Sequence, residues 1–570
     1  MKKGIFFILT IAFIFGCNTN KGKNEQVENG KIVIYQVLPR LFGNNNTTNK
    51  FNGTIEENGV GKFSDFTTTA LDSIKSLGCT HIWYTGVIAH ATKTDYSKFN
   101  IYGGNPNIIK GNAGSPYAIR DYYDVNPFLA NNIPDRMAEY DSLISLTHQR
   151  GLKVIMDFVP NHVAREYKST NAPKGVKGLG EDDDESKMFS TENNFYYLSG
   201  RLKPKFDVGD YIENPAKATG NGVFGVNPAQ DDWYETVKLN YGIDYNTGIK
   251  QFSPIPNTWK KMRDILLFWC SKGVDGFRAD MAEMVPVEFW EWGIKEVKKV
   301  YPKTVFIAEI YNPKVYNQYI SQGNFDYLYD KVGLYDTLKS IIQGKSLISA
   351  ITSNSLNLSK LNSDSLIIED KLLNFLENHD EQRIASPYFA GDAMKGIPMA
   401  IVSACFSKGP FMIYFGQDLG EEALGAEGFG DDDGRTTIFD YYSVPSIVKW
   451  RNSGNYDGAN ENVLSGLTQK QKELHKFYAK LLNLISKNEV FAKGDTKIIT
   501  PKKCSDLENV FAFVREYLGK KYLCIANFGG EIVSAEFDFK NGFDVFNREN
   551  ISTNCITLQP YNGRIIEILE

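Results

Sequence analysis

Short runs of apolar residues recur along most of the chain, and stretches with a helical period separate several of them. Most runs are continuously apolar rather than alternating, which is typical of parallel strands buried on both faces. Helical stretches precede the second, third and fourth runs, over Phe66–Leu77, Asp135–Arg150 and Thr258–Ser271. The eight runs are Ile32–Pro39, His81–Gly86, Lys153–Val159, Gly273–Asp280, Lys303–Ile310, Asp326–Asp330, Leu372–Asp380 and Phe411–Gln417. Eight strand–helix units predict an α/β chain that folds as a (β/α)8 TIM barrel.

One connection is far longer than a barrel loop needs to be. From Ala164 to about Trp233 the chain is polar and irregular, rich in Gly, Asn and Pro, with an acidic run at 181–185. A loop of this length in a compact domain usually carries function or forms a small domain of its own. Residues 164–236 are therefore interpreted as a loop domain inserted after the third strand. The acidic run is interpreted as a solvated loop, with cation binding as the alternative.

The last part of the chain changes its pattern. A strongly helical stretch, Gln469–Ser486, is followed by β-rich runs bounded by Gly, Asp and Asn, and no helical pattern interrupts them. These runs are Val510–Val514, Lys521–Asn527, Ile532–Phe539 and Ile565–Leu569. They predict a small C-terminal antiparallel β-sandwich. The predicted division is a catalytic barrel in two parts, residues 31–163 and 237–490, around the loop domain at 164–236, followed by the sandwich at 491–570.

The N-terminus has the features of an export signal. A basic start, Met1-Lys2-Lys3, precedes the apolar run Gly4–Phe15, which is too short to span a bilayer as a helix. The run ends in Ile14-Phe15-Gly16-Cys17, which resembles a bacterial lipobox. Residues 1–16 are therefore predicted to be a lipoprotein signal peptide, and residues 17–30 a lipidated Cys17 with a polar tether. The alternative is an ordinary signal peptide with a chance cysteine.

This reading predicts an exported lipoprotein of the bacterial envelope, anchored to the membrane through Cys17. The sequence does not decide between the periplasmic and the cell-surface side. The formal net charge of −5 gives the protein no large basic field, so no nucleic-acid partner is expected. Aromatic residues make up 13% of the 570 residues, which suits a surface that stacks on sugar rings and equally suits ordinary core packing. Nothing in the sequence predicts an organic cofactor.

Polar and charged residues end several of the predicted strands. The C-terminal ends of parallel barrel strands meet on one face, so acids distant in sequence are expected to lie together there. For any single acid, a salt bridge or a helix cap is the simpler interpretation. Four such segments in order, at barrel spacing, favour a site instead. The segments carry Asp157 with Asn161 and His162, Arg278 with Asp280, Glu309, and His379 with Asp380.

These segments resemble the ordered motifs of the α-amylase family, glycoside hydrolase family 13. The weaker matches are Leu239-Asn240, the eighth-strand segment Gly409–Gln417, and Tyr117 ahead of Asp121-Tyr122. The four main matches are Asp157-x-x-x-Asn161-His162, Gly276-Phe277-Arg278-x-Asp280, Glu309 and Asn378-His379-Asp380. Each motif alone is weak, but the ordered set, which covers the barrel from about residue 32 to 450, is highly specific.

The resemblance implies a retaining glycoside hydrolase that cleaves α-1,4-glucosidic bonds of starch, glycogen or maltodextrins. It makes Asp280 the nucleophile of a covalent glycosyl intermediate, Glu309 the general acid and then base, and Asp380 the group that stabilises the transition state. A retaining enzyme needs nucleophile and acid roughly 5–5.5 Å apart. Arg278 lies two residues before Asp280, so both point to the same side of the strand. We expect its positive charge to keep Asp280 ionised.

The same resemblance implies contacts to the reacting glucose. Besides Arg278, it assigns His162 and His379 as donors to sugar hydroxyls and Tyr117 as the platform that stacks on the ring; each of these three also has an ordinary packing interpretation. Asn161 matches a calcium ligand of many family members. Because Ca²⁺ takes six to eight oxygen ligands, one Asn decides little. Further ligands would come from the loop domain, where the acids at 181–185, Asp207 and Asp210 are candidates.

One position departs from the family pattern. Many members have Lys-His where this chain has Glu283-Met284, and that pair helps to bind the leaving side of the substrate. The departure leaves the specificity open. A transglycosylase with the same intermediate and a neopullulanase-like or α-1,6-active enzyme are the nearer alternatives. A non-catalytic glucan-binding protein is the distant one, and it disagrees with the presence of all three acids.

Overall fold

The computed structural model of the protein describes residues 30–361, 368–423, 425, 432–452 and 466–569. The predicted signal peptide, Cys17 and the tether up to residue 29 lie outside the described residues. Across the described part of the chain, no helix combines the length and the apolar character that crossing a bilayer requires. The six cysteines of the described part are free thiols.

Eight parallel strands close into a barrel, which confirms the predicted fold. Each strand pairs with its neighbours along the chain, and the first pairs with the last, as Val33 beside Phe411 shows. Every residue of the first, second, fourth and eighth strands is buried, as expected for a sheet covered on both faces. The strands are β1 Val33–Val37, β2 His81–Tyr84, β3 Lys153–Phe158, β4 Gly276–Ala279, β5 Val305–Ala308, β6 Tyr327–Tyr329, β7 Leu372–Phe375 and β8 Phe411–Tyr414.

Helices surround the barrel and bury one face each against it. In the helix Asn257–Ser271, for example, Trp259, Met262, Leu266 and Trp269 are buried at helical spacing. The α-helices are Pro39–Phe42, Ile55–Asn58, Thr68–Ser76, Arg136–Gln149, Asn257–Ser271, Val287–Val300, Tyr316–Ser321, Asp336–Ile342, Ser349–Leu361, Gly396–Cys405, Pro445–Asn452, Gln469–Lys487 and Glu489–Lys493. The predicted helices before β2, β3 and β4 and the predicted helix near residue 480 are all among them.

Two long connections leave the barrel at the carboxyl ends of β2 and β3. After β2, Ile88–His90 pairs with Ile119–Val125 in an antiparallel hairpin that the sequence pattern did not predict. After β3, the chain from 164 to 236 is held by short antiparallel ladders. His162–Ala164 pairs with Thr236–Lys238, so the base of this loop domain is closed by its two ends. Shorter ladders join Tyr197–Leu198 to Ala216–Lys217 and Ile243–Asp244 to Ile249–Lys250.

The C-terminal part is antiparallel, as predicted, and consists of a six-stranded and a three-stranded sheet. Apolar residues of the two sheets share a core of their own, which includes Leu523, Val533 and Ile556. The larger sheet has the order Asp495–Ile498, Val510–Tyr517, Lys520–Asn527, Asn562–Ile568, Gly542–Asp544 and Glu549–Ile551, and the smaller one Lys503–Cys504, Val533–Glu536 and Cys555–Leu558. The opposite face of the larger sheet packs on the barrel helix Gly396–Cys405.

Candidate active site

The strand ends bring the predicted acids into one cavity at the carboxyl end of the barrel. Asp280 follows β4 directly and Glu309 follows β5 directly, whereas Asp380 lies five residues beyond β7. The cavity measures about 320 Å³, and Tyr117 and His162 also line it. The remaining lining residues are Lys110, Ser115, Trp233, Glu235, Thr236, Met281, Tyr311, Ile438 and Phe439. Five of the predicted site residues therefore share one space, although they follow five different strands of the barrel.

Arg278 lies beneath this cavity and binds its acids together. Its guanidinium is buried and lies 2.8 Å from Oδ1 of Asp280 and 2.7 Å from Oε1 of Glu309. Oδ1 of Asp157 is 3.4 Å away, and the Tyr329 hydroxyl accepts a hydrogen bond from Nε at 3.1 Å. Arg278 thus acts on the acids of the site and does not itself line the cavity.

Burial and charge act in opposite directions on Asp280. Burial raises the pKa of Asp280 well above its usual value, and the Arg278 guanidinium opposes that shift without cancelling it, so Arg278 does not by itself keep Asp280 ionised as expected. Glu309 and Asp157 raise the Asp280 pKa further, because like charges nearby disfavour a second ionised carboxylate. Three carboxylates around one guanidinium form a coupled group that readily holds a proton. An acid–base pair of a glycosidase needs such a proton near its scissile bond.

Asp380 is set apart from the other acids by its neighbour. Oδ2 of Asp380 lies 3.0 Å from Nε2 of His379, whose Nδ1 lies 2.7 Å from the Gln36 amide nitrogen. Burial by itself raises the pKa of Asp380, but the charge and hydrogen bond of His379, with Arg278 and Arg435, bring it below its usual value. Asp380 is therefore favoured in its ionised form, as a group that stabilises a developing cation requires.

Tyr117 lies on a turn in the connection after β2, and His162 begins the short strand His162–Ala164 after β3. The Tyr117 ring stacks at 5.3 Å on His379, and its hydroxyl contacts Nε2 of that histidine. The His162 ring packs edge-on against Trp233 at 5.3 Å. Burial lowers the pKa of His162 to about 3, so the ring is neutral at neutral pH. Both side chains line the cavity that holds the acids.

The residues around Asn161 do not fit calcium. Oδ1 of Asn161 accepts a hydrogen bond from Nζ of Lys238 at 2.6 Å, and both side chains are buried. Burial lowers the pKa of Lys238 to about 8, so the amine still carries its charge at neutral pH. Across the described residues, no three His, Cys, Asp or Glu side chains gather in a way that would hold a metal ion.

The acidic run in the loop domain binds protein groups instead of forming a cation site. Asp183 accepts hydrogen bonds from the backbone amides of Asn194 and Phe195, at 2.7 and 3.0 Å, and from the Tyr197 hydroxyl. Asp184 pairs with Lys187 at 2.9 Å. Asp210, another predicted candidate, accepts hydrogen bonds from the side-chain amides of Asn105 and Asn107. These acids pair with nearby groups and so order the loop. Among the described residues, no hydrogen bond or ion pair joins any of them to Asn161.

Two residues of the site were not identified from the sequence. The Tyr311 hydroxyl donates a hydrogen bond to Oε1 of Glu309 at 2.6 Å. The backbone amide of Met281 donates to Oε2 at 2.8 Å, and Met281 has a left-handed backbone with φ of 43°. Such a conformation is unfavourable outside glycine and concentrates at functional sites. The signal for Tyr311 was its position two residues after Glu309, whereas the Met281 conformation has no sequence signal.

The pair Glu283-Met284, at which the chain departs from the family pattern, lies at a second cavity. This cavity measures about 520 Å³ and lies between the loop domain and the segments that follow β4 and β5. Glu283 and Met284 line it together with Tyr245 and Asn312. Oε1 of Glu283 accepts a hydrogen bond from the backbone amide of Tyr311 at 3.2 Å. The unusual pair is therefore anchored beside the acid–base residue.

The chain is similar in sequence and in fold to known proteins. The model of the α-amylase catalytic domain matches residues 36–494. Alpha-amylase 3 of Dictyoglomus thermophilum is 23% identical over 591 residues, which cover 99% of this chain and 97% of that protein. A noncanonic maltogenic α-amylase from Thermotoga neapolitana superposes with a TM-score of 0.60 at 19% identity, over 95% of this chain and 99% of that one. An α-amylase from Geobacillus thermoleovorans, solved with acarbose, gives 0.60 at 17% over 96% and 100%.

Proposed function

We propose, from the premise that the chain belongs to the α-amylase family of glycosidases, that it hydrolyses α-1,4-glucosidic bonds of starch, glycogen or maltodextrins with retention of configuration. The observation that carries this proposal is the shared guanidinium. Asp280 and Glu309 bind the two terminal nitrogens of Arg278, at 2.8 and 2.7 Å. Two carboxylates on one guanidinium are close neighbours, which fits the spacing of roughly 5–5.5 Å in retaining enzymes better than the wider inverting spacing.

In the proposed reaction, Asp280 attacks the anomeric carbon. Its Oδ1 is held by Arg278, and its Oδ2 has no hydrogen-bond partner among the described residues, so Oδ2 is the oxygen that forms the bond. Glu309 donates its proton to the glycosidic oxygen as the C–O bond breaks. Water, deprotonated by Glu309, then displaces Asp280 and releases the sugar with its original configuration. Asp380 stabilises the oxocarbenium-like charge in both steps.

The acceptor in the second step decides between hydrolysis and transfer. The same intermediate gives a transglycosylation product when a sugar hydroxyl replaces water, so both outcomes remain compatible with the three acids. The expected main outcome is hydrolysis of α-1,4 bonds. A time course of products from amylose, pullulan and maltoheptaose measures bond preference and transfer together. Accumulation of products longer than the maltoheptaose supplied would show that transfer, and not hydrolysis, is the main reaction.

The Asp280→Asn variant tests the role of the nucleophile. Because the amide is isosteric but a poor nucleophile, we expect kcat on maltoheptaose to fall by a factor of about 10⁴ or more. Glu309→Gln is expected to act in the same direction. Circular dichroism and the melting temperature of each variant control for folding. If Asp280→Asn hydrolyses at the wild-type rate, the proposed assignment is wrong.

We also propose that the protein acts at the bacterial envelope, held by a lipid on Cys17. The lipobox-like segment supports this, and the polar residues after it would keep the barrel in water. Protease treatment of intact cells distinguishes the two sides of the membrane. Loss of the protein indicates the cell surface, and survival indicates the periplasm. A Cys17→Ser variant that stays in the membrane fraction would contradict the anchor.

A further inference from the structure

Lys238 lies at the base of the loop domain, next to the site but outside the reaction described above. It belongs to the strand Thr236–Lys238 and is the register partner of His162. Its side chain is buried, and Nζ donates a hydrogen bond of 2.6 Å to Oδ1 of Asn161. This is the oxygen that the family resemblance offers to a calcium ion. The lysine ammonium therefore occupies the direction from which a metal ion would approach.

The partners of Asn161 fix the orientation of its amide. An ammonium is only a donor, so the atom that faces Lys238 must be the oxygen. A carbonyl is only an acceptor, and the Gly220 carbonyl receives a hydrogen bond of 2.8 Å from Nδ2. Both ends of the amide are thus determined by groups that cannot exchange roles. Flipping the amide would leave a buried ammonium without an acceptor, which is strongly unfavourable.

The orientation of Asn161 determines the tautomer of His162. Nδ2 of Asn161 lies 3.1 Å from Nδ1 of His162. Because Nδ2 carries only protons, Nδ1 must accept, and the single proton of the neutral ring is then on Nε2. His162 lines the cavity, and its ring also hydrogen-bonds the backbone of Tyr117, which borders the same cavity. A ring with the opposite tautomer would offer an acceptor there instead of a donor.

We propose that the Lys238 ammonium is a built-in cation that takes the place of a metal ion, and that through Asn161 it fixes His162 as an Nε2–H donor. Lys238 is a positioning residue in this scheme, because it acts on the sugar only through Asn161 and His162. The prediction that the donor contacts sugar rests on the proposed glycosidase function. The metal independence and the tautomer do not, since both exist in the protein without substrate.

Removing divalent metals tests whether Lys238 takes the place of a metal ion. We expect 10 mM EDTA followed by gel filtration to leave the melting temperature of the wild-type protein unchanged, and added CaCl₂ to leave it unchanged as well. Elemental analysis of the protein as purified, before EDTA is added, should find less than one tenth of a calcium ion per chain. A fall in melting temperature with EDTA that Ca²⁺ reverses would contradict the proposal that Lys238 takes the place of a metal ion. This result would hold whether or not the protein hydrolyses any glucan.

Nitrogen NMR of the histidine rings tests whether the proton of His162 is on Nε2. The chain has six His residues, so ¹⁵N-histidine labelling gives few signals, and His162→Gln assigns the one of interest. In the wild type we expect Nδ1 of His162 to show the shift of an unprotonated nitrogen and Nε2 that of a protonated one. In Lys238→Met only the Gly220 carbonyl still orients the Asn161 amide, and we expect a fraction of the opposite tautomer to appear. A wild-type proton on Nδ1 would overturn the proposal without any variant.

Kinetics link the tautomer to the sugar. For Lys238→Met we expect kcat/KM on maltoheptaose to fall about tenfold, the usual effect of one misplaced hydrogen bond. Lys217→Met is the matched control, because Lys217 also lies in the loop domain and donates to a backbone carbonyl, that of Arg165, at 2.9 Å. The control should lose melting temperature with kcat/KM within twofold of wild type. Equal kinetic losses in both variants would show that Lys238 only stabilises the loop domain.

Discussion

At the scale of single residues, the site depends on one buried cation. Arg278 contacts Asp280, Glu309 and Asp157 and stacks against aromatic rings, with Tyr117 and Tyr329 at 5.3 and 5.4 Å from its guanidinium carbon. A guanidinium presents donors in a rigid plane, which an ammonium does not reproduce. The relative positions of nucleophile and acid–base residue therefore follow from the shape of this side chain as much as from its charge.

Arg278→Lys separates shape from charge. We expect the variant to fold, because the buried acids keep a positive partner, but to lose about 10²-fold or more in kcat, since a misplacement of about 1 Å has that effect. The measurement is steady-state kinetics on maltoheptaose beside thermal unfolding. Arg278→Met should unfold at a clearly lower temperature than Arg278→Lys, because it leaves buried carboxylates unpaired. Wild-type kcat in Arg278→Lys would contradict the positioning role.

Tyr311 offers a second test at this scale. Its hydroxyl donates to Oε1 of Glu309, and Tyr311→Phe removes that hydrogen bond with little change in volume. Hydrogen bonds to charged groups contribute about 1.5–3 kcal/mol, so we expect kcat to fall by a factor of about 10 to 100. Tyr319→Phe is a suitable control, because Tyr319 donates to the backbone carbonyl of Val285 and does not contact Glu309. A loss in the control as large as that in Tyr311→Phe would contradict this role.

The predictable part of the site follows the strand ends. Asp280 and Glu309 end apolar strands, and sequence alone placed them at the same edge of the barrel. Lys238 was not predictable, because its burial depends on the two ends of the loop domain pairing in one register. For the same reason the sequence does not reveal that Asn161, which the resemblance offers to calcium, accepts the hydrogen bond of that lysine. The strained backbone of Met281 arises from contacts with the neighbouring strand and has no local sequence cause.

At the scale of elements, strands with continuous apolar runs were predicted well, and strands with buried charges were missed. The segment Ile119–Val125 is buried throughout although it contains Arg120, Asp121 and Asp124. These charges are compatible with burial because they are paired, as Asp124 is with Arg136 at 2.7 Å. A hydrophobic pattern cannot reveal such a strand, since its partners come from other elements. The short strands near residues 503, 543 and 550 were missed because they are only two or three residues long.

The turn after β6 makes stability depend on pH. Asp330 follows this strand, accepts a hydrogen bond from the Leu334 amide at 2.8 Å, and is buried. Burial raises the pKa of Asp330 to about 7. A folded-state pKa above the unfolded value of about 3.9 means that this residue contributes its full stability below pH 4. That contribution is lost as the pH rises towards 7, because the unfolded chain ionises first.

Asp330→Asn should remove this dependence. The amide oxygen can still accept the Leu334 hydrogen bond, and the side chain cannot ionise. We expect the free energy of unfolding of the variant, relative to wild type, to increase between pH 4 and pH 7 by on the order of 3 kcal/mol. Urea unfolding at several pH values measures this difference. A difference that stays constant across the range would show that Asp330 is ionised in the folded protein as well.

At the scale of the whole molecule, we expect the barrel and the C-terminal sheets to unfold as one unit. Residues of the larger C-terminal sheet, such as Phe511, Phe513 and Cys524, belong to the same apolar cluster as the barrel strands. Arg515 fixes the connection. Its buried guanidinium donates to the carbonyls of Phe406 and Gly494 at 2.8 and 2.7 Å. The sandwich therefore supports the barrel and lies away from the cavity.

Arg515→Met tests this connection. We expect a loss of about 3 kcal/mol in the free energy of unfolding, because several buried carbonyls lose their donor. The values of kcat and KM below the unfolding temperature should remain within twofold of wild type. Arg564→Met serves as the comparison for a loss of contacts inside the C-terminal sheet, since Arg564 pairs there with Glu549 at 2.6 Å and with the buried Asp544. Separate calorimetric transitions for barrel and sheets in the wild type would contradict the single unit.

Trapping of the glycosyl intermediate addresses the chemistry of the whole assembly most directly. A 5-fluoro-α-glucosyl or maltosyl fluoride lets the first step proceed and slows the second, so the sugar accumulates on the nucleophile. Peptide mass spectrometry after rapid acid quenching should find the fluorosugar on Asp280, and on no peptide in Asp280→Asn. The same label on Glu309 or Asp380, or turnover to β-configured product without any labelled peptide, would contradict a retaining reaction through Asp280.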